Sequence, residues 1–204
     1  PRAGGRGGAT MSPAGRATKR AMDVVLSAGA LLVGWPVLLG IALAIRRDSP
    51  GPVLFRQERA GRHMRPFTMV KFRTMRTDAA PYGVSPGSPE DPRLTRLGRW
   101  LRETSLDELP QLWNVLTGDM SLVGPRPLYM SQARAFTERQ RRRLDVRPGL
   151  TGLAQVQGRG EVPHEEKLEI DARYVEHMSL GLDLRILCRT VFKGLGRQTA
   201  YQQW

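Results

Sequence analysis

The stretch "SLDELPQLWNVL" (residues 105–116) sets two acids, Asp107 and Glu108, side by side ahead of an apolar run. Acids there have two uses. Ser105 followed three residues later by Glu108 has the S-x-x-E form of a capping box, and acids in a first turn interact favourably with the helix dipole. A carboxylate kept ionised at a helix end also suits attack on phosphorus or binding of magnesium, and the same helix end attracts phosphate. Neighbouring helical residues point about 100° apart, so the two acids would divide the work. One would attack or ligate; the other would orient or take a proton. Pro110 is awkward in such a helix, because its ring would crowd the carbonyl of Leu106.

Arginines in stiff frames fit a phosphate substrate. "VGPRPL" puts Arg126 between two prolines, and Arg147 in "VRPG" and Arg159 in "QGRG" also sit beside turn residues. Rigidly presented guanidinium groups around one acidic pair suit phosphate chemistry. Other chemistries lack their signatures. His63, His164 and His177 share no ligand spacing, and there is no Walker-type loop, no GxGxxG fingerprint and no GxSxG elbow. The single cysteine, Cys188, excludes a disulfide framework; in "LRILCRTVF" it reads as a small core hydrophobe.

The elements that must position these residues fall into a pattern. With 204 residues and 40% apolar content, the chain can build one domain with a real core. The formal net charge of +13 points to an anionic partner: nucleic acid, a membrane surface or a phosphate-rich substrate. Residues 1–18, rich in Gly, Arg and Ala, read as a mobile basic arm. Residues 24–45 are then apolar and uncharged, long enough to span a bilayer, and hydrophobic all round. Pro36 stands near the centre, with Gly34 and Gly40 close by, so a kink or break is expected there. Lys19 and Arg20 precede the segment and Arg46 and Arg47 follow it, so basic flanks give no clear orientation for a span. A re-entrant segment, broken at Pro36 and leaving by the face it entered, puts both flanks on one side; a single span and a buried core helix are the other readings.

Residues 53–56 and 67–72 read as two short strands joined through Gly61. Residues 76–93 are a loop dense in Pro, Gly, Ser and Asp. "LTRLGRWLRETS" is an amphipathic basic helix with Leu94, Leu97 and Leu101 on one face; with Trp100 it suits either a membrane interface or a soluble core. "SQARAFTERQRRRLDV" reads as one helix, its arginines solvated or facing headgroups. "RPGLTGLAQVQGRG" reads as turns around a strand, and residues 164–195 as helix broken near "SLGL". The fold class is therefore α+β and mostly helical, with small β-hairpin elements and interfacial amphipathic helices. Three parts follow: the arm (1–18), the re-entrant membrane helix (19–47) and a domain resting on the membrane interface (48–204), which the resemblance given next implies is cytoplasmic and catalytic.

Taken in order, "KRAMD" before a proline-centred apolar segment, "VKFRTM", "SLDELPQLWNVLTGDMSLVGPRP" and "VRPGLTGLAQVQGRG" resemble the bacterial sugar transferases. More narrowly, they resemble the monotopic polyprenyl-phosphate phosphoglycosyl transferases, of the small type that initiates N-glycan assembly in Campylobacter. The resemblance covers residues 19–195. It implies transfer of a phospho-sugar from a UDP-sugar to undecaprenyl phosphate, with release of UMP and a requirement for Mg2+. It implies that Asp107 attacks the sugar-bearing phosphorus to give an aspartyl phospho-sugar, that Asp107 also lies at the metal, and that Glu108 assists. Two-step covalent catalysis of this kind gives ping-pong kinetics. Lys71, Arg102, Arg126, Arg147 and Arg159 match the family's phosphate- and substrate-binding positions, and Asp171 matches a further acidic one. Pro36 matches the break in the family's re-entrant helix. Many members carry Ser before that proline; here it is Trp35, which cannot satisfy the freed backbone in the same way.

The resemblance also implies a place on the cytoplasmic face of the bacterial inner membrane, with membrane lipids as partners and no nucleic acid. A basic, non-enzymatic membrane or nucleic-acid adaptor would explain the charge but not the acidic pair beside "GPRP". No residue pattern identifies the sugar.

Overall fold

The computed structural model describes residues 11–79, 86–158 and 162–194. It is mostly helical, with two small sheets. Helix α1 (Pro13–Asp48) leads into the antiparallel hairpin β1 (Leu54–Ala60) and β2 (Pro66–Phe72). Helix α2 (Arg96–Glu103) and helix α3 (Gln111–Thr117) follow, then strand β3 (Ser121–Val123). Helices α4 (Met130–Arg134) and α5 (Glu138–Arg141) lead to β4 (Gly149–Thr151), which pairs parallel with β3. The described chain closes with α6 (Leu153–Gly158), α7 (His164–Glu176) and α8 (Leu180–Gly194).

Helix α1 begins inside the stretch expected to be an arm. Pro13 occupies the first turn and the Ser12 hydroxyl accepts from the Gly15 N–H at 3.1 Å, a conventional helix start. The helix also runs on through Pro36, so the expected break is absent from its secondary structure. Proline removes only one bond, the one to the Leu32 carbonyl, and the turns on either side are held by packing. Lys19, Asp23 and Ser27 are buried, Leu31 and Leu38 are partly buried, and Ile41 and Ile45 are buried again. These positions recur every three or four residues, so one stripe of the helix faces the domain along its length. The opposite side is apolar and exposed: Val25, Leu32, Val33, Trp35, Val37 and Leu43.

Polar groups fix the N-terminal end of that stripe. The Lys19 ammonium donates to the Asp183 carboxylate at 2.7 Å and to the Val123 carbonyl at 2.9 Å. The Tyr174 hydroxyl donates to the other oxygen of Asp183 at 2.7 Å. Asp23 accepts the Leu122 N–H, and Arg20 donates to the Val115 and Leu116 carbonyls at the end of α3. "KRAMD" is thus the polar anchor between the apolar helix and the β3 region. At the far end, Ile41 and Ile45 join Phe72 of β2 and Leu101 of α2 in a second apolar cluster.

Several expectations change in detail. The single helix expected over "SQARAFTERQRRRLDV" is divided, because Phe136 turns into a cluster with Leu128 and Leu168 while Thr137 and Gln140 form a capping box that starts α5. Its arginines are used on α7: Arg139 pairs with Glu169, Arg142 with Glu176 and Arg143 with Asp171. The stretch after Gly152 forms helix α6 rather than turns. Cys188 is exposed, since α8 buries the side carrying Asp183 and Ile186.

Breaking the Lys19–Asp183 pair by Lys19→Met leaves a buried carboxylate uncompensated and is expected to cost about 3–5 kcal/mol. Chemical denaturation in detergent measures this. Adding Asp183→Asn removes the orphaned charge and should recover part of the loss.

Candidate active site

The acidic pair sits on a tight turn rather than on the first turn of α3. Leu106–Glu108 is a 3-10 turn preceded by Ser105 in the left-handed region (φ 58°), and Ser105 makes no side-chain cap bond to it. The expected capping box does not form. Pro110 supplies the reason: it has no N–H to offer the Leu106 carbonyl, which is taken by the Leu109 N–H at 3.3 Å instead. Pro110 then serves as the N-cap position of α3, where a missing donor is harmless. The turn buries Asp107, and Glu108 meets Arg126 at 2.6 Å.

Three further elements close on this turn. Strand β2 packs against it and brings Lys71. The α3 side chain Asn114 fixes β2 in place, accepting the Val70 N–H at 3.0 Å and donating to the Thr68 carbonyl at 2.8 Å. Helix α2 brings Arg102, and it approaches the segment after β2 closely because residue 98 is glycine; a Cβ there would lie 1.9 Å from the Thr74 carbonyl oxygen. Arg126 follows β3 on "GPRP". Its frame is set by backbone contact between two glycine turns: a Cβ on Gly149 would lie 2.1 Å from the Gly124 nitrogen. Beneath it, Arg143 donates to the Arg126 carbonyl and to Asp171, each at 2.7 Å. Asp171 is thus buried rather than a helix-surface acid, and through Arg143 it supports the backbone of Arg126.

Lys71, Arg102, Arg126, Asp107 and Glu108 therefore converge. Arg147 does not join them: its Nε donates to the Gly118 carbonyl at 2.7 Å, and the charges acting on it are Arg20, Arg62, Asp23 and Asp119. Its motif position marks the turn that frames Arg126, not a contact with the acids. Arg159 lies outside the described residues, as does part of the Pro-rich loop after β2. A cation the motifs did not point to, Arg59 of β1, lies on the same side as Lys71. Directly paired residues of an antiparallel ladder share a face, and the register Phe55↔Lys71, Gln57↔Met69, Arg59↔Phe67 places all three β1 residues with Lys71.

Burial dominates the electrostatics. It pushes the Asp107 carboxyl up to about 6, with the Glu108 charge adding to the rise and Lys71, Arg102 and Arg126 opposing it. The expectation that a helix end keeps this acid strongly ionised is thereby corrected; dehydration outweighs the cations. At pH 7 the carboxylate form still prevails, by roughly tenfold. Burial also lowers Lys71 to about 8, against the pull of Asp107. Glu108 and the flanking charges hold Arg126 firmly protonated. The result is a nearly dehydrated carboxylate beside a cation-rich surface, suited to attack on an anionic phosphorus centre whose charge the cations offset.

Comparison with known proteins agrees with this arrangement. Residues 14–197 match the family described as bacterial sugar transferase. The chain is 45% identical over 199 residues to the UDP-glucose:undecaprenyl-phosphate glucose-1-phosphate transferase of Escherichia coli (strain K12), covering 94% of this chain and 43% of that protein. It is 46% identical over 177 residues to the uncharacterized sugar transferase EpsL of Bacillus subtilis (strain 168), covering 87% of each. It is 46% identical over 191 residues to a Caulobacter vibrioides protein with the same name as the E. coli enzyme, covering 90% of this chain and 72% of that one. The chain thus spans less than half of the E. coli relative but nearly all of EpsL.

The raised Asp107 value carries a stability consequence. An acid whose folded value (about 6) exceeds its ordinary value of 3.8 destabilises the fold as pH rises between the two, and fully above the upper one. Asp107→Asn is therefore expected to stabilise the protein at pH 8, on the order of 1–3 kcal/mol. The gain should shrink as pH falls through 6 towards 4; melting curves across that range check the sign.

Proposed function

The chain belongs to the bacterial sugar transferases, and from that premise we propose that it transfers a phospho-sugar from a UDP-sugar to undecaprenyl (polyprenyl) phosphate, releasing UMP. This would be the first membrane step of glycoconjugate or exopolysaccharide assembly. The observation that carries the reading is Asp107: a buried carboxylate, paired with Glu108 and enclosed by Lys71, Arg102 and Arg126. The E. coli and Caulobacter relatives are named for the same reaction with UDP-glucose.

In the first step a carboxylate oxygen of Asp107 attacks the sugar-bearing phosphorus. The bond from that phosphorus to the bridging oxygen breaks, and the oxygen leaves with UMP. In the second step an oxygen of polyprenyl phosphate attacks the same phosphorus, the Asp107 O–P bond breaks, and the free carboxylate returns. Glu108, held by Arg126, is placed to take the proton if the lipid phosphate arrives protonated. Lys71, Arg102 and Arg126 offset charge on the phosphate oxygens in both steps.

Magnesium fits this donor set. Adjacent carboxylates, with the remaining positions left to phosphate oxygens and water, are its usual arrangement with nucleotides. Among the described residues no cluster of three or more His, Cys, Asp or Glu exists, so Asp107, with Glu108 beside it, would hold the ion together with substrate. Bound there, Mg2+ would neutralise phosphate charge.

The membrane arrangement belongs to the same proposal. Helix α1 is long and apolar enough to cross a membrane. Yet its stripe meets the same domain at Lys19–Ser27 and again at Ile41–Ile45. A perpendicular span would carry one of these contacts across about 30 Å of hydrocarbon, where the domain could not follow. A shallow re-entrant path that enters and leaves by one face keeps both contacts on the cytoplasmic side of the inner membrane, with the exposed apolar face, including Trp35, in lipid.

The test is nanodisc-held protein with Mg2+, undecaprenyl phosphate and a panel of UDP-sugars. UMP release is expected with at least one; release with none contradicts the reading. Activity should fall at acid pH as Asp107 gains its proton, with bound Mg2+ moving that fall below the value of about 6 for the metal-free carboxyl. Cysteines placed at residues 16 and 47 should both react with an impermeant reagent from the cytoplasmic side only; reaction of one from the opposite side would establish a span.

A further inference from the structure

Arg59 is a cation in the site for which the acidic pair does not account. Its guanidinium stacks on the Tyr129 ring, 3.7 Å from the centroid, and donates through Nη2 to the neutral Gln57 Oε1 at 2.6 Å. The Gln57 amide in turn donates to the Tyr129 hydroxyl at 3.3 Å. Among the described residues no carboxylate lies within ion-pair distance of Arg59, and its Nε is buried without a hydrogen-bond partner. Burial lowers its affinity for the proton to about 10, and Arg126 opposes it further, while Glu108 gives some relief. Two neutral side chains therefore hold a dehydrated guanidinium against a like charge. Leaving a charge so placed is costly unless an anion completes it.

The position says which anion. The main charges acting on Asp107 are Glu108, Lys71, Arg102 and Arg126; Arg59 is not among them, and acts instead beside Lys71 and Arg126. Arg59 therefore shares the basic surface of the site but stands off from the nucleophile more than the other three cations do. Among the described residues four cations face two carboxylates, an excess that suits a polyanionic substrate.

We propose that Arg59, steered by Tyr129 and Gln57, binds the phosphate that is not attacked, the one that departs with the nucleoside. This rests on the phospho-sugar transfer described above. Arg59 would present its guanidinium charge to that phosphate and offset the charge that accumulates on it as the bridging P–O bond breaks and the electron pair stays with the leaving oxygen. Tyr129 and Gln57 are positioning residues, keeping the guanidinium plane fixed before the nucleotide arrives.

The experiment uses the full chain in nanodiscs and UMP itself as ligand, so that no choice of sugar enters. Losing a charge-assisted hydrogen bond is expected to weaken UMP binding by calorimetry by about 10- to 100-fold in Arg59→Gln. Arg59→Lys, which keeps charge but not the stacked fork, should fall between, and it serves alone if the glutamine variant does not fold. The KM for undecaprenyl phosphate should not move. Unchanged UMP affinity in folded Arg59→Gln overturns the proposal, as does a rise confined to the lipid-phosphate KM, which would assign Arg59 to the acceptor. A wild-type protein that releases no UMP from any UDP-sugar would instead overturn the transfer reaction itself.

Discussion

Everything in the site follows from one constraint: Asp107 must be nearly dry and still carry its charge. A carboxylate in that state is costly, and the surrounding elements share the cost. Strand β2 brings Lys71, α2 brings Arg102, and the turn after β3 brings Arg126, which also holds Glu108. None of these acts from a flexible tether. Asn114 fixes β2, Gly98 lets α2 approach the segment that leaves β2, and the Arg143–Asp171 pair supports the backbone of Arg126. The outcome is a raised but still useful acidity and an excess of positive charge. Both suit a phosphate-bearing anionic substrate, which would complete the balance on binding.

The apolar helix is part of the same architecture. Lys19, Arg20 and Asp23 attach its beginning to β3, α3 and α8. Its end packs on Phe72 and Leu101, neighbours in sequence of Lys71 and Arg102. A helix facing lipid along its exposed side would therefore place Lys71 and Arg102 at a fixed depth relative to the bilayer surface. That is what a reaction between a soluble nucleotide sugar and a lipid phosphate requires. In this view "KRAMD" and "VKFRTM" are coupled: one anchors the helix at its start, and the other meets its end while delivering Lys71.

Much of this was legible in the residues. The two hairpin strands, the inward face of Leu94, Leu97 and Leu101 at and before α2, and the α7–α8 division follow from periodicity and turn residues, whereas β3 and its parallel pairing with β4 do not. The acidic pair and Arg126 follow from ordered motifs. What escaped was set by tertiary contacts. Whether Ser105 caps a helix depended on Pro110 forcing a 3-10 turn, and the ionisation of Asp107 depended on how deeply that turn is buried. Asp171 looked like a helix acid until Arg143 met it from a segment 28 residues away. Arg59 could be found only from the hairpin register, since strand alternation assigns it to the Lys71 face once Phe55 is known to oppose Lys71. Helix α1 kept its form through Pro36 because packing on both sides outweighed one missing bond.

The covalent role of Asp107 is the central claim, and it is tested most directly without the acceptor. Protein in nanodiscs, with Mg2+ but no polyprenyl phosphate, is mixed with a UDP-sugar that supports turnover and is radiolabelled in the sugar. One equivalent of UMP should appear in a burst, and the label should stay on the peptide carrying Asp107 until undecaprenyl phosphate is added and removes it. UMP that forms only when the lipid phosphate is present, with no label on the protein at any time, would show direct transfer and contradict the account.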